Sequence, residues 1–197
     1  MKDWISEIRT SAAAVISLAV LLCGLYPLAV WVLDQGLFPA KANGSLVLRR
    51  GQVVGSSLIG RDFSGPAYFH PRPSAAGQGY DALRSGGTNL GPTSRELIET
   101  VRRRVGEYRA ENGLPAGVLV PADAVTASAS GLDPHISLAN AFLQAPRVAG
   151  ARGLSEEAMR KRIEACAEGR DLGFLGQPRV NVLMLNLDLD GVYDKGR

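Results

Sequence analysis

Apolar residues run without a charged interruption from Ala12 to Leu33, 22 positions bounded by Arg9 on one side and Asp34 on the other. At a helical rise of about 1.5 Å per residue the run reaches roughly 33 Å, enough to cross a hydrocarbon layer of roughly 30 Å. Trp4 and Trp31 flank it as interfacial aromatics do. A secretory signal has a shorter apolar region, about 7–15 residues, and a small-x-small site close behind it. Ala40-Lys41-Ala42 has that form but lies well past the end of the run. A buried core helix rarely runs so long without a polar face. The pattern therefore predicts an uncleaved membrane-spanning helix over 12–33 behind a short tail, 1–11. Pro27 should kink it. Ala13, Ser17, Val20 and Gly24 share one face, a low strip against which another helix could pack.

The pattern changes character beyond Asp34. Asn43 to Gly60 reads as a hairpin: Leu46-Val47-Leu48 and Gln52-Val53-Val54 are joined by a turn at Arg49-Arg50-Gly51, with Leu58 and Ile59 extending the sheet. Residues 60–92 have no period. Eleven of these 33 residues are Gly or Pro, yet Phe63, Tyr68, Phe69 and Tyr80 are a third of the twelve aromatics in the chain, so an ordered loop wrapped on the domain is expected.

The clearest soluble helix follows, from a capping box of Thr93 and Glu96, through Leu97, Val101, Val105 and Tyr108, to a stop at Gly113. Leu114–Val120 reads as a short strand. Asp133 as cap and Pro134 as first residue predict a helix to Gln144, ending before Pro146. Ser155 caps another, with Leu154 and Met159 as a staple and Gly169 as its end. Val180–Leu189 alternates Leu183, Leu185, Leu187 and Leu189 with Met184, Asn186 and Asp188, the mark of a half-buried strand central to the sheet. The elements sum to an α+β protein: one N-terminal transmembrane helix and a single soluble domain over 34–197, with a small sheet and about three helices.

Charge and composition narrow the function classes. The net charge is +3, and residues 1–34 hold two Lys/Arg against three Asp/Glu, so the remainder carries about +4. Its basic residues are scattered, and Arg102, Arg103 and Arg104 have Glu96, Glu99 and Glu107 on the same helix to offset them. Nucleic acid is not implied. Cys23 lies in the span and Cys166 in a helix near the far end, so no disulfide is expected, and neither CxxC nor paired-His spacing suggests zinc. A serine hydrolase would need a serine beside a histidine. There is no G-x-S-x-G, and the two histidines are His70 and His135. Gly77-x-Gly79-x-x-Ala82 is not a dinucleotide fingerprint, because Pro71 and Pro73 precede it where a strand is required. In Ser85-Gly86-Gly87-Thr88-Asn89-Leu-Gly-Pro92 the backbone amides could cradle an anion, with Thr88 and Asn89 adding donors. A set of turns that need glycine explains the same residues.

In combination, the N-terminal span, YFHPRPSA at 68–75, SGGTNLGP at 85–92, DAVTASASGLDPHIS at 123–137, QAPRVA at 144–149 and VNVLMLNLDLD at 180–190 resemble the KdpC family. KdpC is the C chain of the bacterial high-affinity potassium-transporting ATPase, and the resemblance covers nearly the whole chain in order. It implies a non-catalytic subunit of the inner membrane, with KdpA, KdpB and KdpF and the lipid bilayer as partners. The sequence agrees in lacking both D-K-T-G and G-x-x-x-x-G-K-[ST].

The family is also described as an ATP-binding catalytic chaperone of the ATPase chain. That reading makes Ser85-Gly86-Gly87 similar to an ABC-type signature loop and Gln144 a further nucleotide contact, with ATP the one cofactor the resemblance admits. Orientation decides between the roles. Lys2 and Arg9 stand against Asp3 and Glu7 before the span, and Asp34, Lys41, Arg49 and Arg50 follow it, nearly a tie. The acidic residue next to the span and the short tail favour an exported domain, and a polar, aromatic-studded loop region on a membrane-tethered domain suits one that caps or stabilises the potassium entrance. A secreted binding protein released near Ala42 is the remaining alternative.

Overall fold

The structure, a computed structural model, describes residues 2–49 and 51–191, and divides into two compact units, residues 1–46 and 47–197. The first unit is dominated by one long apolar helix. It is α-helical over Lys2–Ala19 (α1), π-helical over Val20–Leu25 and α-helical again over Tyr26–Leu37 (α2). The wide turn lies directly before Pro27. A proline cannot donate to the carbonyl four residues back, and the chain loosens into i→i−5 bonding, the Tyr26 N–H donating to Leu21 O. The expected kink is thus taken up as a π-turn. Helix runs through the predicted tail from Lys2, and all side chains from Trp4 to Asp34 are exposed.

Trp4–Leu37 has a window of mean hydropathy 2.3, none of it buried, which makes it a candidate membrane span by length and composition. Its end is tied off locally. The Asn43 carboxamide donates to Gln35 Oε1 at 3.1 Å and to Pro39 O at 2.7 Å around a single helical turn, Pro39–Ala42 (α3).

In the second unit the hairpin forms as expected from Leu46–Arg49 (β1) and Gln52–Ser56 (β2). Arg50 of the predicted turn lies outside the described residues, while Gly51 takes φ +81°. Leu58 and Ile59 turn away instead of extending the sheet. Leu114–Val120 is also no strand: Pro115 and Pro121 lack donors for a ladder, and the segment closes in turns such as Val118 N–H to Pro115 O.

The helix after the loop spans Arg95–Glu111 (α4), with Ser94 as its cap in place of Thr93. Ser94 Oγ accepts from Leu97 N–H, and Gly113 follows at φ +63°. A turn, Ala122–Val125 (α5), leads to the main correction. Asp133 does not cap a helix, because its carboxylate accepts from the N–H of His135 and closes a local turn. His135–Ser137 (β3) is a strand, and the helix starts only at Leu138, capped by Ser137. It then continues past Pro146 to Arg152 (α6), its buried face in the core outweighing the roughly 3 kcal/mol that an interior proline costs.

Ser155 does cap the next helix, Glu156–Cys166 (α7). It stops short of Gly169 because Ala167–Glu168 (β4) leaves to pair with Arg179–Asn181 (β5). The sheet order is β3-β5-β4, antiparallel throughout, with β5 central as expected. The rest of the predicted last strand is helical, Val182–Leu189 (α8), capped by Asn181. Its alternation misleads because Val182, Leu183, Leu185, Asn186 and Leu187 are all buried, and a helix buried all round shows no polar stripe. The polar tail beyond Gly191 lies outside the described residues.

Helices α6, α7 and α8 pack on this short sheet, enclosing a core of Phe69, Ile136, Val148, Met159, Ile163, Val180 and Leu185. Phe69 belongs to the irregular segment, so that segment is part of the core, as its aromatics suggested.

Candidate functional site

At Phe69 and His70 the irregular segment has no neighbouring strand, and side chains from elsewhere take the place of one. Asn186 of α8 accepts from Phe69 N–H at 2.9 Å and donates to Phe69 O at 3.0 Å. Gln144 of α6 does the same for His70, at 2.7 and 3.1 Å. Both carboxamides are buried. Arg147 donates to Pro66 O, Tyr68 O, Asn112 Oδ1 and Gln144 Oε1, and Arg152 to Ala67 O, Leu189 O and Asp190. Burial pulls the Arg147 pKa down, and the neighbouring Glu111 and Tyr108 oppose that shift.

Pinned this way, the segment forms one wall of a cleft of about 440 Å³ with α4 as the other. Phe63, His70, Arg72 and Tyr80 face Arg104, Glu107, Tyr108 and Glu111, and Gln144 lies at the base. Tyr80 donates to Arg72 O at 2.5 Å and Tyr108 to Asn140 Oδ1 at 2.8 Å. Burial, reinforced by Asp62 and Asp133 for Tyr80 and by Asp123 for Tyr108, pushes both phenols well above the ordinary tyrosine value. They stay neutral donors. His70 has Glu111 Oε1 at 2.8 Å from Nδ1 and Gly65 O at 3.0 Å from Nε2, so both ring nitrogens are engaged.

Behind the cleft Arg72 meets Asp133 at 2.9 Å. Burial raises the Asp133 carboxyl, but hydrogen bonds from His135 and Arg72 and the Arg72 charge outweigh it and hold the group below its ordinary value. The polar side chains of the cleft thus brace one another and the segment.

The predicted contacts divide between two places. Gln144 lines the cleft, its carboxamide already bonded to His70, Asn140 and Arg147. Ser85–Asn89 lie apart from it, on the segment 128–131: Ser85 Oγ and Gly86 N–H both donate to Ser130 O at 2.9 Å. A side chain at Gly87 would meet Ala129 O at 3.1 Å. Thr88 is exposed and Asn89 takes φ +54°. The cleft does not include Ser85, Gly86, Gly87, Thr88 or Asn89.

Sequence reading missed Arg104, which is half-buried and donates to Val125 O, and placed it on a solvated face with Arg102 and Arg103. Tyr108 was legible only as an apolar position. The clustering of Gln144, Arg147 and Arg152 at helical spacing was the available signal for the anchors. Among the described residues no group of three or more His, Cys, Asp or Glu is placed to hold a metal ion, and neither Cys23 nor Cys166 is in a disulfide.

A family model described as "KdpC: K+-transporting ATPase, c chain" matches residues 8–191. The chain belongs to the KdpC family. Curated relatives carry the name potassium-transporting ATPase KdpC subunit. That of Koribacter versatilis (strain Ellin345) is 52% identical, covering 92% of this chain and 93% of the relative. That of Mycobacterium tuberculosis (strain ATCC 25618 / H37Rv) is 57% identical over 84% of this chain and 88% of the relative. The Nitratidesulfovibrio vulgaris protein is 53% identical over 94% of both. As a KdpC subunit the chain is part of a potassium-transporting ATPase and membrane-associated, with Trp4–Leu37 the candidate span. The KdpC match takes in the helix, the pinned segment and the cleft together, since 8–191 spans all three.

Proposed function

We propose that this chain is the non-hydrolytic accessory subunit of a high-affinity potassium uptake pump, assembling with the KdpA, KdpB and KdpF chains in the bacterial inner membrane. Its domain, 34–197, stands outside the cytoplasm and caps or stabilises the potassium entrance, while the helix over 12–33 packs among partner helices. The observation that carries this reading is the occurrence, within one KdpC-family chain, of an unburied apolar helix and a domain whose aromatic-rich loop is braced at Phe69 and His70 by buried polar side chains. A cap over an ion path needs a rigid polar surface more than a catalytic group. The sequence offers neither the aspartyl-phosphate motif nor a phosphate loop.

The test has two parts. Co-purification of the tagged chain should recover the three partners. A cysteine at position 172, where Leu172 is 83% exposed, should react with an impermeant maleimide in intact cells from which the outer membrane has been stripped. Reaction only in inverted vesicles would overturn the exported domain. The native Cys166 is buried and a poor reporter.

One observation favours nucleotide binding as a second reading. The cleft holds Arg104 beside Arg72, whose Nε is buried without a partner, together with the rings of Tyr80 and Tyr108. Two guanidinium groups and aromatic faces suit a phosphorylated base. On that reading Arg104→Gln, and Ser85→Ala if the glycine turn takes part, lower ATP affinity of the purified chain. Unchanged binding by both variants rejects it.

A further inference from the structure

Between Asp34 and Asp62 the sequence contains Lys41, Arg49, Arg50 and Arg61 and not one Asp or Glu. This acid-free stretch holds the hairpin, and the hairpin carries its large apolar side chains outward. Val47 and Val54 are half-buried, whereas Leu46, Leu48 and Val53 are 53%, 61% and 57% exposed, and Leu58 follows at 62%. A two-stranded ribbon with one face on the domain ordinarily turns polar residues to water. Here the water-facing side is apolar and rimmed by cations: the Arg61 guanidinium donates to Val54 O at 3.0 Å, and Arg49 ends β1.

The sequence immediately before the hairpin has the same make-up. Phe38 at the end of α2 is exposed, and Lys41 Nζ lies 5.8 Å from the centre of its ring. The connector is short and folded: Ser45 N–H donates to Ala40 O at 2.9 Å, so β1 begins close behind the end of the apolar helix.

An exposed aliphatic surface with a cationic border and no acids matches an anionic lipid surface, with acyl chains receiving the aliphatic groups and headgroup phosphates the guanidinium groups. A protein groove could receive the apolar residues, but it gives no reason for the total exclusion of carboxylates over the whole stretch. We infer that the hairpin Leu46–Ser56 is an interfacial second anchor that docks on anionic phospholipid next to the point where the helix leaves the bilayer. The inference rests on the helix spanning a membrane and is independent of any role at the potassium entrance.

The test uses the full chain reconstituted in vesicles of phosphatidylcholine, alone or mixed equally with phosphatidylglycerol, both containing brominated lipid as a contact quencher. An environment-sensitive fluorescent amino acid is placed at Val53 and, as a control, at Phe174, which is 69% exposed. Docking predicts strong quenching at position 53 in the phosphatidylglycerol vesicles, about three-fold or more above phosphatidylcholine, falling as salt is raised. Arg49→Gln should weaken docking about five-fold. Position 174 should be quenched weakly in both. Quenching at 53 no greater than at 174 overturns the inference. So does quenching that is equal in the two lipids and indifferent to salt, and so does shielding of position 53 that develops only when the other pump chains are co-reconstituted, which would make a protein the occupant. Because the hairpin and lipid share a leaflet whichever way the chain inserts, mixed orientation does not alter the outcome.

Discussion

The apolar helix and the irregular segment 60–92 solve the same problem by opposite means. Every peptide group must find a hydrogen-bond partner if it is to leave water. The helix finds them within itself, and even the turn before Pro27 is re-bonded internally, from Tyr26 to Leu21. Its side chains are then free to be anything a bilayer tolerates, and from Trp4 to Asp34 none is buried. The irregular segment closes only isolated turns within itself, such as Tyr68 N–H to Gly65 O and Gly79 N–H to Ala76 O. Between them it is held by side chains 61 to 122 residues away, on Asp133, Gln144, Arg147, Arg152, Asn186 and Asp190. One region is portable, and the other exists only as part of its domain.

That contrast can be broken or sharpened by substitution. The largest effect is expected from Gln144→Leu, which leaves the His70 backbone groups and an Arg147 donor without their partner in a buried place, and Asn140 Oδ1 with Tyr108 alone. The domain should lose about 3–5 kcal/mol, measured by thermal or denaturant unfolding of the detergent-solubilised chain, while the signal of the apolar helix persists. Asn186→Leu should cost about 2–4 kcal/mol by the same argument applied to Phe69. If either loss stays below 1 kcal/mol, the segment is held by something other than these carboxamides.

Gly131→Ala comes next. The residue takes φ +68°, and a Cβ there would sit 2.6 Å from Ala76 N and 2.7 Å from Gly86 O, backbone atoms that cannot step aside. About 2–3 kcal/mol is expected, with the loops at 76 and 86 loosened together and more readily cut by protease.

A smaller change follows acid. The Asp133 carboxyl is held below its ordinary value, so the folded state binds its proton less readily than the unfolded chain does. Its contribution is complete above the unfolded value of 3.8 and is lost as pH falls through the lower, folded value. The midpoint of unfolding should drop below about pH 4, and Asp133→Asn should flatten that limb. The smallest effect belongs to Pro27→Ala. It restores an ordinary helical turn and should leave the domain's unfolding midpoint where it was; a shift of several degrees would mean that the two regions are coupled.

How much of this was legible follows from the same contrast. The apolar helix depends on backbone neighbours three to five residues away, and a sequence displays such neighbours, although the helix starts at Lys2, earlier than the charge-free run. The Ser155 cap and the hairpin are local in the same sense. Errors arose where distant groups decide. Asp133 looks like a cap until Arg72 and His135 claim its carboxylate. Leu183 to Leu187 look like one face of a strand until the core covers every side of α8, and Pro146 looks like a stop until the packing of α6 overrides it. Ser94 in place of Thr93 is an error of one residue between two equivalent hydroxyls. Of the candidate site, Gln144 was found through family likeness, yet its bonds to His70 could not be read from spacing. Arg104 was misjudged because its side of α4, unlike the exposed sides of Arg102 and Arg103, is covered only when distant residues such as Val125 close on it.

The Arg147 guanidinium touches four groups, on Pro66, Tyr68, Asn112 and Gln144, and so joins the pinned segment to both α4 and α6. The stretch Pro66–His70 cannot detach without breaking bonds to α6 and α8. The amide protons of Phe69 and His70, which belong to a stretch with no regular secondary structure, should therefore exchange with solvent as slowly as those of α6 and α8.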